Sequence, residues 1–250
     1  MPDHHLAAEL AAEAGRRLLA LRARGGDPDD LRREGDRRSH EFLAAELARY
    51  RPGDALLSEE GADSRERLSA SRVWIVDPLD GTREFGEPER TDWAVHVALW
   101  ENDELTAGAV ALPAQGRTLS TADPPASPAG RPGEGGMRLV VSRTRPPGFM
   151  ARLADKTGAE LIPLGSAGAK AAAVICGDAE AYVHSGGQYE WDSAAPVAVA
   201  RAAGLHTSRI DGSPLAYNQA HPSLPDILIC EVSLARPLLA AIAAAQASPG

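Results

Sequence analysis

Aromatic side chains make up only 4% of the 250 residues, so a core has to be packed from Ala, Leu and Val rather than from rings. Lysine is scarcer still. Of 26 basic residues only Lys156 and Lys170 are lysine, a bias that codon composition explains but that makes each lysine worth attention. The two cysteines, Cys176 and Cys230, lie far apart and form no CxxC, so neither a zinc site nor a disulfide framework is indicated. They read as buried thiols in a reducing compartment. No apolar run reaches the roughly 18 residues of a membrane span; 234–247 is too short and is broken by Arg236-Pro237. Residues 1–24 carry acids among their Ala and Leu and lack the continuous apolar stretch of a signal peptide. Positive charge is in deficit as well. A net charge of −9 disfavours nonspecific binding to nucleic acid or to anionic membrane. The expectation is a cytoplasmic protein, and an acidic one can still bind an anion if metal ions supply the cations locally.

What is present is an ordinary globular composition, 44% hydrophobic and 24% charged, on a chain long enough to bury a core as one large domain or two lobes. Residues 6–24 place Leu and Ala at helical spacing, and Gly25-Gly26-Asp27-Pro28 stops that helix. A second helix is predicted over 37–50. The short apolar run 55–58 delivers Glu59-Glu60 to a loop, and Val73-Trp74-Ile75-Val76 is a compact strand ending at Asp77-Pro78. Residues 93–100 and 105–112 read as a hairpin. From 113 to 136 the chain turns Pro-, Gly- and Ser-rich, as a surface loop or a lobe boundary. Beyond it strands at 137–142, 160–164 and 179–184 alternate with helices at 149–157, 168–176 and 194–203, the last closed by Gly204. That alternation marks the C-terminal half as α/β. There is no internal repeat.

The chemistry centres on Asp77-Pro78-Leu79-Asp80-Gly81-Thr82. Two carboxylates three residues apart follow a buried-type strand, and Pro78 favours a tight turn that aims both at one point. Mg²⁺ takes carboxylates, carbonyls, water and substrate phosphate as ligands, and the Leu79 carbonyl lies between the two acids. Gly81-Thr82 opens a segment whose N–H groups can receive a phosphate oxygen. The same six residues also read as a turn in which Asp caps backbone groups. Glu59-Glu60 alone is a solvated loop, and Asp192 in Glu190-Trp191-Asp192-Ser193-Ala194-Ala195-Pro196 alone is a helix N-cap.

Taken together, Ser58-Glu59-Glu60, Trp74 through Thr82, and Trp191-Asp192-Ser193-Ala194-Ala195 resemble the signature blocks of the inositol monophosphatase superfamily, in its order and approximate spacing over residues 6–203. The resemblance implies an α+β fold, a layered α-β-α-β-α sandwich of the inositol monophosphatase and fructose-1,6-bisphosphatase type. It implies an α+β lobe over 1–130 and an α/β lobe over 131–250, with the metal site between them. Carried over, it makes Glu59, Asp77, the Leu79 carbonyl, Asp80 and Asp192 the metal ligands, for two or three Mg²⁺, with inhibition by Li⁺. Asp36 and Thr82, with Glu59, would act in catalysis by orienting a water that attacks phosphorus in line, the metals lowering its pKa. Asp36 also reads as an exposed N-cap of the helix from 37. Asp80-Gly81-Thr82-Arg83-Glu84-Phe85 is similar to the block found in CysQ-type 3′-phosphoadenosine-5′-phosphate phosphatases. Gly81, Thr82, Ser142, Arg143, Ser166, Lys170, His184 and Asp192 are then the substrate contacts, with Arg143, Arg145 and Lys170 available for a second phosphate. Lys170 reads alternatively as a snorkelling lysine, and His184 as a strand cap. Two positions depart from that subgroup: His184 stands where Arg is usual, and Arg145 where His is common.

The implied function is a Mg²⁺-dependent 3′(2′),5′-bisphosphate nucleotidase of sulfur metabolism. The enzyme alternative is an inositol-1-phosphate or fructose-1,6-bisphosphate phosphatase with the same acids; a silent phosphometabolite-binding protein is the non-enzymatic one. The partner is a small phosphorylated metabolite, with no nucleic-acid polymer and no membrane, and a homodimer is possible because dimers are common among relatives.

Overall fold

A computed structural model describes residues 1–126 and 136–247. Helix α1 (Asp3–Arg22) buries Leu6, Leu10, Leu18 and Leu21 along one stripe, each contributing about 1.5–3 kcal/mol of apolar burial. Helix α2 spans Pro28–Tyr50, nine residues longer at its start than its apolar spacing predicts. Asp27 is its N-cap, accepting from the Asp29 and Asp30 N–H groups at 3.0 and 3.1 Å, and Pro28 opens the first turn. Asp27-Pro28 therefore begins a helix as well as ending a turn. Asp36 consequently lies inside α2, which overturns its reading as an N-cap.

Strands β1 (Ala55–Ser58), β2 (Arg72–Asp80), β3 (Ala94–Glu101), β4 (Glu104–Leu112) and β5 (Arg117–Ser120) form the first sheet in that order. Only β1 and β2 are parallel. Strand β5 falls in the stretch that composition marks as loop, so that expectation is corrected: four residues pairing with β4 from Ser120–Ala109 to Arg117–Leu112 are too few to show a period among Gly and Pro. The lobe boundary expected at 130/131 lies outside the described residues. The short helix α3 (Thr82–Phe85) follows β2.

The second sheet holds β6 (Arg138–Ser142), β7 (Glu160–Leu164), β8 (Ala181–Ser185), β9 (His206–Ser208) and β10 (Asp226–Cys230), in the order β7-β6-β8-β10-β9. Strand β6 is parallel to β7 and β8, and β10 is antiparallel to β8 and β9. Helices α4 (Met150–Thr157) and α7 (Val232–Ala247) cover its outer face, α1 and α2 cover the outer face of the first sheet, and α5 (Ala167–Ile175) and α6 (Glu190–Ala202) fill the space between the sheets. The result is the five-layer α-β-α-β-α sandwich. Small residues take over the packing that aromatics would have done. Gly108 of β4 lets α6 approach so closely that a Cβ there would stand 2.6 Å from Ala198 Cβ. Covered on both faces, β3 is buried from Ala94 to Leu99 and reads as an unbroken apolar run with one exception, His96.

Candidate active site

On a regular strand, residues three apart point to opposite faces. Asp77 pairs with His96 of β3, but Asp80 pairs with Ala94, so three steps along β2 match two along β3. The extra residue is a bulge at Pro78-Leu79, and it turns both carboxylates to the same side. Several contacts fix it. Ser39 of α2 donates to the Pro78 carbonyl at 2.7 Å, the Leu79 N–H donates to Asp77 Oδ1 at 3.1 Å, and the Thr82 hydroxyl reaches the Leu79 carbonyl at 3.1 Å. Gly81 then adopts φ +86°, and a Cβ there would fall 2.9 Å from Ser166 Cβ, so no other residue fits that turn without moving α5.

The third acid comes from α6, which begins at Glu190, four residues before the start its small-residue run predicts. Tyr189 is the N-cap and Asp192 the third helical residue, accepting the Tyr189 N–H on Oδ2 at 2.7 Å. This corrects the reading of Asp192 as N-cap, and Pro196 sits inside the helix rather than at its start. Carboxylate oxygens of Asp77, Asp80 and Asp192 lie within 4.8 Å of one another. Glu59, in the turn after β1, is outside this trio but its carboxyl reaches that of Asp77. Asp36 accepts from the Thr82 hydroxyl at 3.2 Å. Five acids from four separate segments thus surround one point.

Their protonation differs with their surroundings. Burial, then the charges of Glu59, Asp80 and Asp192, push Asp77 well above the carboxylate range. Burial raises Asp36 and Glu59 to about 7 and Asp192 to about 6, with neighbouring acids adding to each. Asp80 is equally buried, yet its pKa is lowered. Burial alone would raise it, but the charges of His96 and Lys170 and the N–H groups opening α5 outweigh that. Ala167 and Gly168 donate to its two oxygens at 3.1 and 2.6 Å, spending the helix N-terminus on this carboxylate. His96, fully buried, sets Nε2 3.1 Å from Asp80 Oδ2 and Nδ1 3.0 Å from the Trp191 carbonyl. Its pKa is raised: burial lowers it, and Asp80 more than reverses that. Acids that hold protons against their own mutual repulsion are what a hard divalent cation relieves, so the residues fit a metal centre.

A cavity of about 250 Å³ opens beside the acids. Asp80, Gly81, Thr82, Ser142, Ser166, Lys170, His184 and Asp192 all line it, so all but one of the expected substrate contacts share one wall system. The exception is Arg143. Its guanidinium donates to Glu84 at 2.7 Å and Glu87 at 2.9 Å, and Arg143 itself is not among the residues that line the cavity. Lys170 is buried, donates to the Gly165 and Ser166 carbonyls at 2.6 and 2.7 Å, and is held down to about 8 by burial. It is not the snorkelling lysine of the alternative reading. His184 donates from Nε2 to the Gly186 carbonyl at 2.6 Å, and burial pushes it down to about 4. Arg83, Glu84, Thr144 and Gln188 also line the cavity unforeseen, and His96 stands behind it. A polar residue inside the apolar run of β3 was a readable signal for His96; Gln188 lies in a loop that offered none.

The model of the inositol monophosphatase family matches residues 5–127 and 136–246, nearly the whole chain. The chain belongs to the inositol monophosphatase family. Among this family's members it is 52% identical, over 92% of its own length and 90% of the other's, to the 3′-phosphoadenosine 5′-phosphate phosphatase of Mycobacterium tuberculosis (strain CDC 1551 / Oshkosh). It is 50% identical to the protein of that name from Mycobacterium leprae (strain TN), over 97% of this chain and 94% of that one. Inositol monophosphatase-II from Staphylococcus aureus MSSA476 shares its fold at TM-score 0.78 and 22% identity, covering 92% of this chain and 91% of that one. The family is one of metal-dependent phosphatases, and this chain holds a cluster of three acids, Asp77, Asp80 and Asp192.

Proposed function

We propose that this inositol monophosphatase family member is a Mg²⁺-dependent 3′(2′),5′-bisphosphate nucleotidase that hydrolyses 3′-phosphoadenosine 5′-phosphate to AMP and phosphate. The observation that carries the reading is a cavity with a cation-demanding acidic focus at one end and, on its walls, guanidinium groups unpaired among the described residues, in a chain 52% identical to a protein named 3′-phosphoadenosine 5′-phosphate phosphatase. Glu59, Asp77, the Leu79 carbonyl, Asp80 and Asp192 would hold two or three Mg²⁺, with Li⁺ as an inhibitor. When bound, the metals lower the pKa of the attacking water and offset charge on the phosphoryl group. Asp36, raised to about 7, takes the Thr82 hydroxyl proton as that hydroxyl takes one from the attacking water, so the hydroxyl is restored and the water's proton ends on Asp36. Lys170, clamped on two carbonyls, keeps Ser166 and the start of α5 in place around Asp80. The phosphoryl group passes to water directly, with no covalent enzyme intermediate. The two unlinked cysteines suit the cytoplasm, where sulfate activation would generate the substrate.

Phosphate release from 3′-phosphoadenosine 5′-phosphate, inositol-1-phosphate and fructose-1,6-bisphosphate, each with Mg²⁺ and with chelator, tests this. The nucleotide should turn over at least tenfold faster than the others, and chelator should stop all three. If inositol-1-phosphate is as good a substrate, the nucleotidase assignment fails; activity that survives chelation removes the metal from the mechanism.

A further inference from the structure

A bisphosphorylated substrate brings a second phosphate that the acidic end of the cavity repels, so a cation must meet it elsewhere, and that cation has to be free. Five basic groups stand in or beside the cavity. Arg143 is neutralised by Glu84 and Glu87 and ties the loop after β6 to the segment at α3. Lys170 is buried with two carbonyls on its ammonium, and its charge is directed at Asp80, Glu84 and Asp192. His184 donates its Nε2 proton to Gly186, and burial keeps the ring neutral, so its free Nδ1 is an acceptor that offers an anion nothing. Arg83 follows Thr82 directly, on the wall that carries the acids.

Arg145 is different. Like that of Arg83, its guanidinium makes no ion pair or hydrogen bond among the described residues, but it stands beside Gly187 rather than next to Thr82, and the residue lines the cavity and is exposed. Its backbone is held, the N–H donating to Ser142 Oγ at 3.1 Å, so a fixed turn presents a free side chain. The Nη1 atom lies 3.9 Å from where a Gly187 Cβ would be, beside the Gly186-Gly187 turn, where both glycines have positive φ and there is no side chain in the way. We infer that Arg145 is the specificity-determining cation that binds the second phosphate of the substrate, while Arg143 is a strut between β6 and α3. The inference rests on the bisphosphate reading above. A planar fork with no competing carboxylate can take a phosphate bidentately, which a lysine cannot.

Kinetics of Arg145→Ala, Arg145→Lys, Arg83→Ala and the parent on 3′-phosphoadenosine 5′-phosphate and on adenosine 3′-monophosphate decide it. In the parent, the bisphosphate should have the larger kcat/KM. In Arg145→Ala the ratio of the two kcat/KM values should fall at least tenfold, mainly through KM for the bisphosphate, and Arg145→Lys should restore part of it. A ratio unchanged in Arg145→Ala, or one that collapses only in Arg83→Ala, overturns the assignment of Arg145. A parent enzyme with no preference for the bisphosphate overturns the nucleotidase reading instead, and the two failures are distinct.

Discussion

Asp77 and Asp80 sit three residues apart on one strand, both buried, and the groups around them make them opposites. Asp80 has the His96 ring, the Lys170 charge and two N–H donors of α5; Asp77 has one N–H donor and three acids. On the proposed mechanism either change to Asn lowers turnover at least ~100-fold, since each removes a metal oxygen. Their effects on the metal-free fold should diverge. Asp77→Asn relieves a repulsion and should leave the melting temperature in chelator unchanged or higher. Asp80→Asn keeps one acceptor oxygen, but it removes the negative charge facing the buried imidazole and turns an NH2 toward donors on the other side, and should cost about 1–3 kcal/mol. Thermal melts of both variants in chelator check this, and equal losses would show that the asymmetry of their surroundings has no energetic weight. Arg143 and Arg145 carry the same lesson about partners. Spacing alone ranks them together as phosphate cations, and only Glu84 and Glu87, brought up by the fold, remove Arg143 from the set.

At the scale of elements, Gly168 shows how tightly α5 is docked on the site. It is a helical residue, so propensity alone makes Gly168→Ala stabilising by about 1 kcal/mol. A Cβ there would lie 2.2 Å from His96 Nε2 and 2.9 Å from Ala94 Cβ. So close a contact puts the overpacking at the upper end of roughly 1–3 kcal/mol, which exceeds the propensity gain, so the variant should melt at least about 2 °C lower. Mg²⁺ affinity, read by titration, should fall with it as Asp80 loses its N–H donors. A higher melting temperature would refute the close docking. Much of this architecture was legible beforehand, because β2, the β3–β4 hairpin and the core of α1 have strong apolar periods. The start of α2 was not, since its first half is polar and buries little before Leu43 except Gly35 and Ser39. Nor was the start of α6, whose Glu190-Trp191-Asp192-Ser193 resembles a loop rich in capping residues. Strands β5, β9 and β10 and helix α7 were also missed; the short strands are set by tertiary pairing, and Pro237 obscured α7. The acids themselves were readable as motifs. The bulge that makes Asp77 and Asp80 converge was not, because it is a register mismatch with β3 and exists only once the sheet is built.

For the whole molecule, the layered fold gathers acids from the turn after β1, from β2, from α2 and from α6, in a protein already at −9. The unfolded chain spreads these carboxylates and returns each to its ordinary pKa near 4. Asp36 and Glu59 near 7 and Asp192 near 6 are all raised on folding, so their contribution to stability is fully present below about pH 4 and is lost as pH rises through 6 to 7. Metal binding runs the other way, because the ligands must shed those protons first. Lys170, held down to about 8 by burial, opposes the acids' stability trend, since its contribution is lost as pH falls through 8. The gain in melting temperature from saturating Mg²⁺ over chelator should accordingly be small at pH 5.5 and grow to pH 8. The Mg²⁺ dissociation constant should weaken at least about tenfold from pH 7.5 to 5.5, since each proton displaced accounts for about 1.4 kcal/mol per pH unit. Calorimetric titration at the two pH values measures it directly, with Asp36→Asn as the comparison. If affinity is flat with pH in the parent protein, the acids are not competing with the metal for protons, and the charge focus is not the ion's seat.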